Sequence, residues 1–314
     1  MKIPEEVLLC EVGPRDGLQN EKQILNVEDK AELIDLCTDA GYRVIEVGSF
    51  VHPKAVPQMA TTDEVFRRIK KKEHVEYRAL VANLKGVERA KECGCDKVKL
   101  NVSASMAHNI ANLNCTPEES VKRFAGCAEF AGENKIQVSG SISMAFGSPW
   151  EHEISHEEIS RIIEGYLEVG IREISLSDAS GMGTPGQVYA LFSEMQKMYP
   201  EVSFWGHFHN TRGLGLANIL AAMEAGIRRF DVAFAGCGGC PFVPNATGNV
   251  SAEDVLNMLD EMGVRTGIRS DVVLAVGRRA VELIGHPADS YILKAGRSRD
   301  LHVPMPVKKE KTKS

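Results

Sequence analysis

No stretch of eighteen consecutive apolar residues occurs in this 314-residue chain, which argues against a membrane-spanning helix. The first residues contain neither an apolar signal core nor an Arg-rich transit pattern, and the last four, Lys-Thr-Lys-Ser, lack a peroxisomal tripeptide. A cytoplasmic location is therefore expected. Concentrated basic charge is also missing. The formal charge is -6 and the pI is near 5.9, and the local basic runs, Lys70 to Lys72 and the tail from Lys308 to Lys313, read as solvated surface. Neither a nucleic-acid nor a membrane partner is expected. Eight cysteines are spread through a chain large enough to build its own core, so no disulfide framework is required and most read as small buried fillers.

A hydrophobic fraction of 43% and a charged fraction of 25% are ordinary for a globular chain. Eight β-patterned runs stand out: Leu8 to Val12, Val44 to Val47, Arg78 to Ala82, Lys97 to Val102, Gln137 to Met144, Glu173 to Ser177, Val202 to His207 and Phe230 to Ala235. Between them lie segments with apolar residues every three or four positions, such as Ile159-Ile162-Ile163-Tyr166-Leu167. Gly41, Gly94, Gly170, Gly226 and Gly263 each follow such a segment, where a helix-terminating glycine belongs. Strands alternating with helices imply βαβ crossovers, and eight of them predict a TIM (β/α)8 barrel over residues 1–286, followed by a C-terminal extension, 287–314, with a mobile end. A doubly wound open sheet is the alternative. It calls for a Gly-rich dinucleotide turn after the first strand, and Gly13-Pro14-Arg15-Asp16-Gly17 is not one.

The most informative short segment is His207-Phe208-His209, at the end of the seventh run. Side chains two apart on a strand share a face, so both imidazoles point to one place. Alone, the pair fits either a divalent-metal site or a packed histidine beside an exposed one. In a barrel, chemistry belongs at the C-terminal ends of the strands, and the unusual polar residues collect there. Arg15 and Asp16 follow strand one, Glu46 and Ser49 end strand two, Asp178 ends strand six, and Cys240 and Asn249 lie beyond strand eight. Strands one, seven and eight adjoin in a closed barrel, which lets Asp16, His207, His209 and Asn249 converge. Such a mixed oxygen and nitrogen set suits Mg²⁺ or Mn²⁺ better than Zn²⁺. Asp16 alone reads as a turn former, and Arg15 alone as a solvated side chain. The Cys237-x-x-Cys240 spacing also admits a redox or zinc reading, although no second cysteine pair accompanies it.

The stretch Glu11-Val12-Gly13-Pro14-Arg15-Asp16-Gly17-Leu18-Gln19-Asn20-Glu21 resembles the opening motif of the 3-hydroxy-3-methylglutaryl-CoA lyase family. Ser49-Phe50-Val51-His52-Pro53-Lys54, Asn83-Leu84-Lys85-Gly86, Gly183-Thr184-Pro185-Gly186 and the loop from Gly238-Gly239-Cys240-Pro241 to Thr247-Gly248-Asn249 resemble it too, in the same order from about residue 8 to 270. The resemblance implies a carbon–carbon lyase that splits a 3-hydroxyacyl-CoA thioester into acetyl-CoA and a keto product, acetoacetate for the type substrate. It implies Asp16, His207, His209 and Asn249 as ligands of a divalent metal, Mg²⁺ or Mn²⁺. Arg15 would stabilise the enolate, Glu46 would be an active-site carboxylate, Cys240 the mobile-loop cysteine, and His207 also a proton carrier. Gln19, Ser49 and Asp178 are expected to bind substrate. A homodimer or higher homo-oligomer is expected, as for most soluble assemblies.

The chain also departs from the family pattern. His207-Phe208-His209-Asn210-Thr211-Arg212 stands where the family has His-Cys-His-Asp-Thr-Tyr, and Ser177-Asp178-Ala179-Ser180 where it has Gly-Asp-Thr-Ile. These changes leave the acyl group open, and Arg212 reads either as recognising a different carboxylate or as a surface residue, the second being favoured. Cys237 replaces a leucine and suggests a disulfide with Cys240 that would block catalysis. The competing readings are an acyl-CoA condensing enzyme of the isopropylmalate or citramalate synthase type and a barrel that binds metal without turnover. The opening motif and the Gly-Gly-Cys-Pro loop speak against the first, and the presence of Arg15 and Cys240 against the second.

Overall fold

The computed structural model describes residues 3–239 and 247–300. Eight parallel strands close into a barrel in chain order. They are β1 (Leu8–Glu11), β2 (Val44–Ser49), β3 (Glu76–Val81), β4 (Lys97–Ser103), β5 (Gln137–Ser143), β6 (Glu173–Asp178), β7 (Ser203–Phe208) and β8 (Arg229–Val232). Closure is made by β1 against β8, with Leu8 beside Arg229 and Glu11 beside Val232. All eight strands expected from the β-branched runs are present. The five helix-terminating glycines adopt the left-handed conformation expected of them, with φ of 106° at Gly41 and 104° at Gly226.

Helix starts are as local as helix ends. Thr116 with Glu119 and Ser155 with Glu158 form reciprocal capping boxes, while Asn26, Asn83, Ser105 and Ser251 each accept a hydrogen bond from a first-turn N–H. The main apolar core lies between the strands and the surrounding helices and includes Leu33, Ile45, Val98, Ile163, Leu176, Phe192 and Phe230. Among the described residues, no helix is long and apolar enough to cross a membrane.

The barrel interior is built differently. A small apolar plug of Cys10, Val12, Val44, Trp205 and Ala233 is joined by charge. Arg78 stacks over the Trp205 ring at 4.8 Å and pairs with Glu76 and Glu173, and Lys97 reaches both of those carboxylates at 2.8 Å. Serines on β5 and β6 fill the far wall, with Ser139, Ser175 and Ser177 buried. A parallel barrel has both strand faces covered, so every inward charge needs a partner inside.

The start of the C-terminal extension is anchored. The helix Ser270–Ile284 ends at Gly285, and the short helix Tyr291–Ala295 is tied down by Asp254, which accepts from Ser290 Oγ and from the N–H groups of Tyr291 and Ile292. The end expected to be mobile lies outside the described residues.

Candidate active site

The C-terminal mouth of the barrel brings Arg15, Asp16, Glu46, His207, His209 and Asn249 together. Asp16 sits on a tight turn, Gly13–Gly17, directly after β1, where the N–H groups of Arg15, Asp16 and Gly17 all bond to the Val12 carbonyl. This turn carries Asp16 over the barrel end, and the side chain is buried. Its Oδ2 lies 3.8 Å from His207 Nε2 and 3.5 Å from His209 Nε2. The two imidazoles tilt toward each other, with ring centroids 5.2 Å apart. One donor atom from each of the three residues falls within 4.8 Å of the others.

Asn249 completes the group through the returning end of the loop after β8. It pairs with His209 in an isolated antiparallel bridge, and its Nδ2 donates to Asp16 Oδ2 at 2.8 Å and to the Cys237 carbonyl at 3.1 Å. The loop backbone passes so close that only glycine fits at residue 238, where φ is 127° and a Cβ would meet Asn249 Nδ2 at 2.6 Å.

Arg15 is buried beside this cluster and pairs with both Asp16 and Glu46. The solvated reading of this arginine is thus replaced by an inward one. Glu46, fully buried on β2, also meets Lys99 Nζ at 2.7 Å, and Lys99 reaches Asp231 Oδ2 at 3.2 Å. Burial alone would raise the proton affinity of Asp16, but the Arg15 guanidinium and the two imidazoles outweigh it and hold the carboxyl well below the usual range. Glu46 follows the same logic: burial is overcome by Arg15 and Lys99, and its pKa is lowered. Both carboxylates are anionic at neutral pH.

The remaining predicted residues make contacts within the protein or lie outside the described residues. Gln19 Nε2 donates to Asp16 Oδ1 at 3.0 Å, bracing that carboxylate. Ser49 is buried, and its hydroxyl donates to the Leu80 carbonyl of β3 at 3.3 Å. Asp178 accepts from Ser180 Oγ and from the N–H groups of Met182 and Gly183, so it organises the loop after β6. Burial raises its pKa. Arg212 is a surface residue whose guanidinium donates to the Ser180 and Gly181 carbonyls of that same loop. Cys240, and with it the suggested Cys237–Cys240 disulfide, lies outside the described residues. Burial keeps the Cys237 thiol well above its ordinary pKa and therefore protonated.

Two residues missed by sequence reasoning belong to this constellation. Lys99 on β4 and Asp231 on β8 are inward charges flanked by apolar neighbours, and Asp231 Oδ2 lies 3.1 Å from His207 Nδ1. Their signal was present: a charge inside a strand that is buried on both faces must point into the barrel.

Fold and site together define a (β/α)8-barrel enzyme with a buried carboxylate–imidazole cluster at its mouth that could hold a metal, and the donor set fits a divalent cation. Three donors converge, all are buried, and His209 Nδ1 has no hydrogen-bond partner among the described residues. The HMGL-like family model matches residues 6–279, and the chain belongs to that family. It is 41% identical over 295 residues to the 3-hydroxy-3-isohexenylglutaryl-CoA/hydroxymethylglutaryl-CoA lyase of Pseudomonas aeruginosa, covering 94% of this chain and 98% of the relative. It is 38% identical to the mitochondrial hydroxymethylglutaryl-CoA lyase of Homo sapiens, covering 93% and 90%. Among solved structures, an HMG-CoA lyase from Acinetobacter baumannii in complex with coenzyme A and 3-methylmalate matches with a TM-score of 0.92 at 42% identity, covering 96% of this chain and 98% of that one.

Proposed function

We propose that this chain is a metal-dependent carbon–carbon lyase that cleaves 3-hydroxy-3-methylglutaryl-CoA to acetyl-CoA and acetoacetate. The observation that carries this reading is the convergence of Asp16, His207 and His209 beside the buried Arg15. Matches over nearly the whole length of named lyases favour cleavage over condensation.

Cleavage requires loss of the C3 hydroxyl proton while the C2–C3 bonding pair moves onto the thioester, giving the enolate of acetyl-CoA. Asp16, His207, His209 and Asn249 would hold a Mg²⁺ or Mn²⁺ ion, which when bound supplies Lewis acidity toward the hydroxyl. Arg15 meets the charge developing on the thioester oxygen, and Glu46 fixes the guanidinium in place so that no reorganisation is needed. The hydroxyl proton leaves toward the carboxylate–imidazole cluster. Cys240 is assigned to deliver a proton to the enolate carbon, which completes acetyl-CoA.

A wider C3 substituent is the second reading, favoured by the double name of the P. aeruginosa relative. Both readings are tested together. The purified chain is incubated with Mg²⁺ or Mn²⁺ and 3-hydroxyacyl-CoAs that differ at C3, and acetyl-CoA is measured. Release is expected to stop with EDTA and to return with added metal. Release that EDTA leaves unchanged, or none from any of these thioesters, overturns the proposal.

A further inference from the structure

His207 Nε2 can serve a metal only if it presents a lone pair, which requires the imidazole proton to sit on Nδ1. The Nε2 contact to Asp16 at 3.8 Å is too long to be a hydrogen bond and does not set the tautomer. The other ring nitrogen is differently placed. His207 Nδ1 is 3.1 Å from Asp231 Oδ2, and Asp231 is buried on the neighbouring strand, with His207 paired to Asp231 in the β7–β8 register. A carboxylate accepts but does not donate, so this contact selects Nδ1–H.

Asp231 is itself fixed. The same Oδ2 receives Lys99 Nζ at 3.2 Å, while Oδ1 is buried without a hydrogen-bond partner among the described residues. Lys99 is shared with Glu46, which holds Arg15. The carboxylate behind His207 and the carboxylate behind Arg15 are thus spaced by one ammonium group. We propose that Asp231, held in place by Lys99, is a positioning residue that fixes His207 as its Nδ1–H tautomer and aims Nε2 at the cation site. Asp231 acts through His207 and touches no substrate. The proposal rests on the reading of Asp16, His207 and His209 as a metal site.

The test begins on metal-free, ¹⁵N-histidine-labelled full-length protein at alkaline pH, where a neutral imidazole carries one proton. Long-range ¹⁵N–¹H correlation, assigned with His207→Gln, is expected to show His207 protonated at Nδ1, and a proton on Nε2 overturns the proposal without any variant of Asp231. Mn²⁺ titration followed by electron paramagnetic resonance comes next. Asp231→Ala is expected to lose the Nδ1–H preference and to weaken Mn²⁺ binding about 10- to 100-fold. Asp231→Asn keeps one carbonyl oxygen for both His207 and Lys99, so it is expected to retain the tautomer and to recover most of the affinity. A tautomer and an affinity unchanged in Asp231→Ala, or an Asn variant as impaired as Ala, overturn the positioning role. If the wild-type chain binds no Mn²⁺, the metal-site reading itself falls, whereas the tautomer measurement still stands alone.

Discussion

Glu11 ends β1 on the face turned toward the helices, with no exposure to solvent, and its Oε1 accepts from the N–H groups of Gly13 at 2.8 Å and Phe234 at 3.0 Å. Glu253 does the same for the next residue of that turn: both of its oxygens accept from Ala235 N–H, which holds Ala235 at a left-handed φ of 55°. The two carboxyls therefore anchor the turn from which the post-β8 loop departs. Burial pushes Glu11 up to about 8 and Glu253 up to about 7, from an ordinary 4.5, despite the N–H donors. Each group is bound more tightly to its proton in the fold than in the unfolded chain. Below 4.5 both states are protonated and nothing is at stake. As pH rises from 4.5 toward about 8, the unfolded chain has released the Glu11 proton and the fold has not, so stability falls by about 1.4 kcal/mol per pH unit. Glu253 adds a similar slope that ends near 7. Glu11→Gln keeps the acceptor oxygen and cannot ionise, so it removes the Glu11 slope. Urea midpoints at about pH 5.5, 6.5 and 7.5, with a constant denaturant slope, should show the variant gaining on the wild type by about 1.4 kcal/mol per unit. The gap should still widen between pH 7 and 8, where Glu253 no longer contributes. Parallel stability curves for the two proteins would refute the assignment of a protonated Glu11.

Two further outcomes are expected. Arg15→Gln should lower kcat about 100- to 1,000-fold, the scale of losing one donor to a developing oxyanion, while Mn²⁺ affinity stays within several-fold; equal losses in both would show that Arg15 serves the metal site alone. Arg78→Met should destabilise the barrel by about 1.5–3 kcal/mol in urea unfolding, because Glu76 and Glu173 lose one of the two cations they share and keep Lys97, and adding Glu76→Gln should return part of that loss.

The barrel was legible because its evidence is local: β-branched runs mark strands, and glycines mark helix ends. The Asp16–His207–His209 cluster was legible because His207-Phe208-His209 fixes two imidazoles by strand alternation and closure in chain order makes β1 a neighbour of β8. The supporting residues were less so. Glu11 and Glu253 look, in sequence, like the polar half of an amphipathic element, whereas Lys99 and Asp231 carried the signal of a charge inside a covered strand without showing which residue each would pair with. Asp178, expected among the substrate-binding residues, makes contacts that sequence alone does not show. Its place at the end of β6 suggested the mouth, while the backbone N–H groups of Met182 and Gly183, invisible to side-chain patterns, claim its oxygens.

The inward charges divide into two layers with different balances. The lower layer sets Arg78 and Lys97 against Glu76 and Glu173, two cations against two anions, and is neutral. The upper layer sets Arg15 and Lys99 against Asp16, Glu46 and Asp231, which leaves one negative charge in excess beside two imidazoles. Burial makes such an excess costly unless a cation offsets it. Of the three upper anions, Glu46 and Asp231 share Lys99, while Asp16 shares Arg15 with Glu46 and also faces His207 and His209 at the mouth. The excess charge is spread over three linked carboxylates, and Asp16 is the one that faces both imidazoles at the mouth. The polar interior of this barrel is thus an electrostatic arrangement: its floor is paired, and its upper layer carries one excess negative charge that an added cation at the Asp16–His207–His209 cluster would offset.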